Sequence, residues 1–158
     1  MNEKEMVRLA TRGALEALSY EDIRNESRQL TIHIKEFLLD AYADEVLKVA
    51  IYHAMEKEAD LLDLIRDPSL KGKVEFYFPR CVVLGDQMVL SFAPWPKGEL
   101  SKQPKGWTRA HFGALEPPEA DTDRHIVFDF IFLPCLATSP YGERLGHGVW
   151  DLKFERID

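Results

Sequence analysis

Apolar residues recur at helical spacing in the first quarter of the chain and in short continuous blocks after it, and this change of rhythm suggests the architecture. Met6, Leu9, Leu15 and Leu18 predict a helix over Glu3 to Leu18. Ser19 to Asp22 reads as a capping box, with the serine accepting from a first-turn N–H and the acid answering in return. A second helix then carries the stripe Ile23, Ser27, Leu30, Ile34 and Leu38 to about Asp40. From Val46 to Tyr52 the pattern becomes short, β-branched and nearly all apolar, as in a strand covered on both faces. Glu58 to Arg66 reads as a helix, Val74 to Phe78 as a strand stopped by Pro79, and Gln87 to Ala93 as a strand after the Gly85-Asp86 turn. Pro94 to Arg124 is rich in proline and glycine, and its Trp95 and Trp107 mark an excursion that packs or covers something rather than a linker. Ile126 to Leu133 is the most hydrophobic strand and is expected at the centre of the sheet. The order predicts one α/β domain over residues 1–158 with a mixed or mainly parallel sheet, whose strand carboxyl ends are the usual place for ligands.

Composition narrows what such a domain can bind. With 46% hydrophobic residues in 158, the chain can bury a core of its own. Lys and Arg number 20 against 27 Asp and Glu, a net charge of -7, which argues against a nucleic-acid partner held by its phosphate backbone. Cys81 and Cys135 are too far apart for a CxxC motif and are expected as buried thiols in a reducing compartment. The charged start, MNEKEMVRLATRG, has no apolar signal core, and no stretch is long enough to span a membrane, so a cytoplasmic protein without a membrane partner is expected.

Candidate chemistry gathers at three places. The glycines of YGERLGHG, Gly142, Gly146 and Gly148, can turn backbone N–H groups toward an anion, Arg144 adds a planar fork for phosphate oxygens, and Asp151 lies near enough to hold magnesium against them. A structural turn beside a strand explains the same glycines equally simply. Lys4 and Arg8, one turn apart on the first helix, form either a clamp over a polyphosphate or a solvated face. His53, Glu56 and Glu58 follow the first strand; a carboxylate there would hold an amino-substituted heterocycle, unless Glu58 is a first-turn residue favoured by the helix dipole. The five histidines lack zinc spacing, and no GxSxG elbow supports acyl transfer.

Taken in order, these segments resemble the 5-formyltetrahydrofolate cyclo-ligase family. Lys4 and Arg8 are similar to its amino-terminal basic pair, AIYHAMEKEAD to its strand and turn with a substrate-binding glutamate at Glu58, FYFPR to a following strand, FGALEP to its aromatic-Gly-Ile-x-Glu-Pro segment, and DFIFLPCLATSPYGERLGHG to its strand, its proline and its RLGxG loop. The resemblance implies a three-layer α/β/α sandwich of the ribose-phosphate-isomerase and CoA-transferase type. It also implies ATP- and magnesium-dependent conversion of 5-formyltetrahydrofolate to 5,10-methenyltetrahydrofolate. By the same resemblance Lys4, Arg8, Arg144, Leu145, Gly146, His147 and Gly148 bind ATP, with Arg144 catalytic. His53, Glu58 and Trp150 bind the folate, and Asp151 the Mg2+.

Three features depart from the family pattern. RLGHG runs directly into Val149, Trp150 and Asp151, two residues short of the usual loop. Thr138 and Ser139 replace a Phe-Asp pair, and the carboxyl-terminal part is abbreviated, with VWDLKFER alternating like one closing strand. The alternative to an active ligase is therefore a catalytically impaired relative that binds a folate, a nucleotide or a protein. A monomer, or a homodimer completing the sheet edge, is expected in either case.

Overall fold

The computed structural model describes residues 1–110 and 112–147. The chain divides into two compact units, Tyr20–Leu133 and a smaller one made of Met1–Ser19 with Pro134–Asp158.

In the larger unit, helix α2 (Tyr20–Ala41) buries Ser27, Ile34 and Leu38, three positions of the expected stripe, while Leu30 stays exposed. Strands β1 (Leu47–Ala50), β2 (Val74–Leu84), β3 (Gln87–Pro94) and β6 (Phe130–Ile131) form one sheet in the order β3-β2-β1-β6. The two pairings made by β1 are parallel and the β2–β3 hairpin is antiparallel, giving the expected mixed, mainly parallel α/β sheet. Leu38, Val49, Leu64 and Phe78 sit in the core with no exposed surface.

Three expectations are corrected. β2 does not stop at Pro79 but continues to Leu84. Phe92, opposite Pro79, exchanges both of its backbone hydrogen bonds with Asp123, so this row of the hairpin needs no N–H from the proline. On the other side β1 has already ended, its last contact being Ile51 N–H to the Tyr77 carbonyl at 2.9 Å. A residue without a donor is therefore tolerated in mid-strand.

The helix expected over Glu58 to Arg66 shrinks to α3 (Asp63–Arg66). Lys57 adopts a left-handed φ of 67°, and the Asp60 carboxylate takes the Leu62 N–H, so local side-chain bonding replaces the first helical turns.

The strand expected from Ile126 to Leu133 pairs only over Phe130–Ile131, and it lies at an edge of the described sheet rather than its centre. Asp129 interrupts the ladder by accepting the Lys48 N–H with its side chain at 2.7 Å, and Phe128 turns to pack on Tyr77 and Phe92. Val127, 80% exposed, is left outside.

The excursion after β3 is packed. It contains the two-stranded ribbon of β4 (Thr108–Arg109) and β5 (Leu115–Glu116) and one 3-10 turn, Glu119–Asp121. Trp95 and Trp107 lie 5.1 and 5.4 Å from the Phe78 ring and 5.4 Å from each other, closing the core over the middle of β2.

In the smaller unit, helix α1 (Glu3–Glu16) is held at its start by a capping box, Asn2 with Glu5. None of its residues is buried, so its apolar positions, Met6 and Leu9 among them, do not form a core stripe. Strands β7 (Ala137–Thr138) and β8 (Arg144–Leu145) make a short antiparallel hairpin.

Candidate active site

The glycine loop is built on that hairpin. Ser139, standing where the resemblance leads one to expect an aspartate, accepts the Tyr141 and Glu143 N–H groups with its hydroxyl at 3.2 Å each. A serine performs here the turn-forming role that a carboxylate would perform, so that substitution leaves the hairpin intact. Gly142 closes the turn at a φ of 85°, and its N–H donates to the Ser139 carbonyl. It therefore belongs to the hairpin turn rather than to an anion cradle, which corrects its place in the glycine motif.

After β8 the chain meets α1. Arg8 Nε donates to the Gly146 carbonyl at 3.1 Å and Arg12 Nη2 to the His147 carbonyl at 2.6 Å. Lys4, Arg8 and Arg12 are spaced four apart and share one helix face, with Lys4 exposed a turn before Arg8. Turning the Gly146 carbonyl toward Arg8 points the N–H of the same trans peptide the opposite way. Arg144 donates Nη1 to the Pro134 carbonyl at 2.9 Å and lies over Gly146, where an added Cβ would sit 3.5 Å from the guanidinium. Leu145 fixes the loop by accepting the Leu136 N–H. Lys4 and Arg8 are thus joined to Arg144, Leu145, Gly146 and His147 in one unit, whereas Gly148, Trp150 and Asp151 lie outside the described residues. Arg12 was not singled out from the sequence; its four-residue spacing from Arg8 was the available signal.

His53 and Glu58 belong to the larger unit, in the loop beyond the carboxyl end of β1. Glu58 lies in a turn before α3, which removes the first-turn reading: its Oε2 accepts the Met55 N–H at 2.8 Å, and its N–H donates to the Met55 carbonyl. The loop is tied down by Tyr52 Oη to the Ala59 carbonyl and by Asp60 N–H to Ser27 Oγ on α2. His53 Nε2 is 3.0 Å from the Lys102 carbonyl, so this nitrogen donates its N–H to that oxygen. The ring's Nδ1 is buried and has no partner among the described residues.

A polar cluster lies beside β2. Glu116, 8% exposed, accepts the Cys81 N–H at 3.0 Å and has Arg80 Nη1 at 3.9 Å. Burial, and then the Glu116 charge, push the Cys81 thiol above its ordinary value against the smaller opposing effect of Arg80. Cys81 is half-buried and Cys135 exposed, so neither is the core thiol expected. Among the described residues no three His, Cys, Asp or Glu side chains converge as a metal cage, and no helix is long and apolar enough to cross a membrane.

Comparison with known proteins decides the kinship. The profile of the 5-formyltetrahydrofolate cyclo-ligase family matches residues 1–156. This chain belongs to that family. Among solved structures the cyclo-ligase-family chain is similar to the NMR structure of 5,10-methenyltetrahydrofolate synthetase from Aquifex aeolicus. The identity is 27% and the TM-score 0.65, over 92% of this chain and 67% of the other. A separate 17-residue stretch is 94% identical to the tRNA (guanine-N(7)-)-methyltransferases of Pseudomonas paraeruginosa and Pseudomonas aeruginosa. It amounts to 11% of this chain and spans 7% of the length of those curated proteins. The family-wide likeness, not this short stretch, accounts for the fold of the cyclo-ligase-family chain.

Proposed function

We propose that the protein catalyses the ATP-dependent cyclisation of 5-formyltetrahydrofolate to 5,10-methenyltetrahydrofolate in the cytoplasm, releasing ADP and phosphate. A formamide oxygen is a poor leaving group. Its attack on the γ-phosphorus expels ADP and leaves a phosphorylated imidate; N10 then bonds to the imidate carbon, loses its proton, and phosphate departs with the former formyl oxygen. Such chemistry asks for positioning and charge stabilisation rather than a protein nucleophile. In this reading Lys4, Arg8 and Arg144 offset phosphate charge, the backbone from Leu145 to Gly148 orients the nucleotide, and Glu58, His53 and Trp150 hold the folate. The described residues supply no cage for magnesium, so no step is assigned to a protein-held ion. Asp151 is proposed only as a contact for the ion that accompanies the triphosphate.

The observation that carries the proposal is the meeting of Arg8 with Gly146, 138 residues away. It brings the amino-terminal basic pair to the RLGHG loop, as a divided nucleotide site requires. The test is to mix purified protein with MgATP and 5-formyltetrahydrofolate and follow the near-ultraviolet absorbance of the methenyl product. Turnover that disappears in Arg144→Ala is expected; absence of product from the wild-type protein would remove the ligase reading.

The second reading, a relative that binds without turning over, is favoured by one contact. Arg144 Nη1 is engaged by the Pro134 carbonyl, so one edge of its fork is used within the protein. Calorimetric binding of folate or ATP without product formation would establish that reading instead.

A further inference from the structure

Residues 95–107 of the excursion after β3 close on themselves as a compact Ω-loop. The Trp95 and Trp107 rings at its two ends lie 5.4 Å apart, and Pro104 is fully buried, so the base of the loop belongs to the core. Above this base stands a tip, residues 98–103, none of which is buried; Leu100 is 76% exposed. The chain enters the tip through Gly98, at a left-handed φ of 73°, and at its foot Trp95 Nε1 donates to the Glu99 carbonyl at 3.3 Å. The tip is braced internally: the Glu99 carboxylate accepts the Ser101 N–H at 2.7 Å, and Ser101 Oγ donates to the Gln103 carbonyl at 2.8 Å. Three polar contacts tie it to the loop after β1 and to α3. His53 Nε2 donates to the Lys102 carbonyl at 3.0 Å, Lys102 Nζ lies 3.7 Å from the Asp60 carboxylate, and Arg66 donates to the Leu100 carbonyl. The Lys102 and Asp60 side chains are 74% and 43% exposed, so water competes for that pair.

Segments that open locally in folded proteins are those with few buried apolar contacts and solvent-exposed hydrogen bonds, and the tip has both features. Its position also carries a cost. With Nε2 held by Lys102, the His53 ring keeps Nδ1 buried and without a partner among the described residues. Release of the Lys102 carbonyl frees the ring to turn and lets water pair with Nδ1. We propose that residues 98–103 are a strap that opens and closes over the loop carrying His53 and Glu58, and that the structure shows it closed. The strap swings about the foot at Glu99 while Trp95, Pro104 and Trp107 stay in the core. In opening, the three ties to His53, Asp60 and Arg66 break, whereas the Ser101 bonds travel with the tip. A ligand reaches the loop while the strap is open and is enclosed when it shuts; that this ligand is the folate rests on the reading above. Arg66 and Lys102 are positioning residues in this device, acting through the strap rather than on a substrate.

The test is labelling of the full chain with diethyl pyrocarbonate, read by peptide mass spectrometry. The reagent acylates an accessible imidazole nitrogen. In the closed state His53 offers none, because Nε2 is bonded and Nδ1 is buried, while the exposed His125 of the same unit serves as the reference. Wild-type His53 is expected to label much more slowly than His125. Arg66→Met and Lys102→Met each remove one tie and should speed His53 labelling about fivefold, the scale of one exposed contact, with His125 unchanged. The melting temperature and the near-ultraviolet circular dichroism of Trp95 and Trp107 should stay at their wild-type values, because the base does not move. Saturating 5-formyltetrahydrofolate should slow His53 labelling in all three proteins. Wild-type His53 labelled as fast as His125, or no acceleration in the folded variants, overturns the strap. Acceleration accompanied by loss of the tryptophan signal also overturns it, since the whole excursion then unfolds. The wild-type comparison needs no variant, and either substitution serves if the other does not fold. Acceleration in the variants without protection by the folate upholds the strap and removes the folate reading instead.

Discussion

Glu116 offers the sharpest test of how the fold is held at the end of β2. Cys81 lies on a row where β2 does not bond to β3, and it stands beyond the end of β1, so its N–H has no strand to meet. The Glu116 carboxylate takes that N–H at 3.0 Å from a position only 8% exposed. A charge-assisted bond of this kind contributes about 1.5–3 kcal/mol, because its loss also leaves a half-buried donor unsatisfied. The Arg80 contact at 3.9 Å is long and partly solvated and adds about 0.5 kcal/mol or less. Glu116→Ala should therefore destabilise the protein by roughly 2–3 kcal/mol, while Glu116→Gln, which keeps an oxygen acceptor of the same reach, should cost about 1 kcal/mol. Urea titration followed by far-ultraviolet circular dichroism measures both, provided the m-values agree with the wild type. If the alanine variant lies within about 0.5 kcal/mol of wild type, the edge needs no acceptor and the argument fails. If glutamine is as damaging as alanine, the carboxylate charge rather than the bond to Cys81 is what matters.

Phe78→Ala should cost about 3–5 kcal/mol and flatten the near-ultraviolet circular dichroism of Trp95 and Trp107, since both indoles rest on the deleted ring; an unchanged aromatic spectrum would contradict that packing. Arg12→Gln should raise the KM for ATP about tenfold with kcat less affected, and Arg12→Lys should recover part of the loss, if the grip on the His147 carbonyl orients the nucleotide loop; steady-state kinetics with a matched melting curve decides it. Cys135 should react with iodoacetamide before Cys81 at neutral pH, because burial and Glu116 raise the Cys81 thiol and hold it protonated. Raising the pH should close the gap, and Glu116→Gln, by removing a negative neighbour, should speed Cys81 modification; peptide mass spectrometry reads all three.

Helical periodicity identified α2, because Ser27, Ile34 and Leu38 repeat along one buried face. The end of that rhythm marked β1, β2 and β3, whose apolar blocks are short and bounded by turn residues. Apolar patterning failed where side chains compete with backbone pairing. Asp129 cuts the apolar run of residues 126–133 by taking the Lys48 N–H, and Asp60 with Lys57 removes the early turns of the expected helix. The candidate site was legible in part. Lys4, Arg8, Glu58 and the RLGHG loop were found through ordered motifs. Arg12 was not, since a third cation on a charged helix looks like solvated surface until a partner 135 residues away is seen.

Pro79, Glu116 and Asp129 give the FYFPR, FGALEP and DFIF segments a common physical meaning. β1 is short, so β2 runs on past it with one side uncovered. A proline placed there has no N–H to satisfy, and two residues later the exposed Cys81 N–H is taken by a carboxylate from β5. On the other flank Asp129 covers the entry of β1 through Lys48. The sheet is thus closed by side chains where another strand would otherwise be needed, and the region just past the end of β1 stays open for the loop that carries His53 and Glu58. Extending β1 by three residues, to His53, would bring a backbone carbonyl to the Cys81 N–H and release Glu116, but it would also draw into the strand the loop that carries His53 and Glu58. A short first strand and an acid on the far ribbon are consequently two parts of one arrangement, in which sheet edge is given up at the place where binding is proposed to occur.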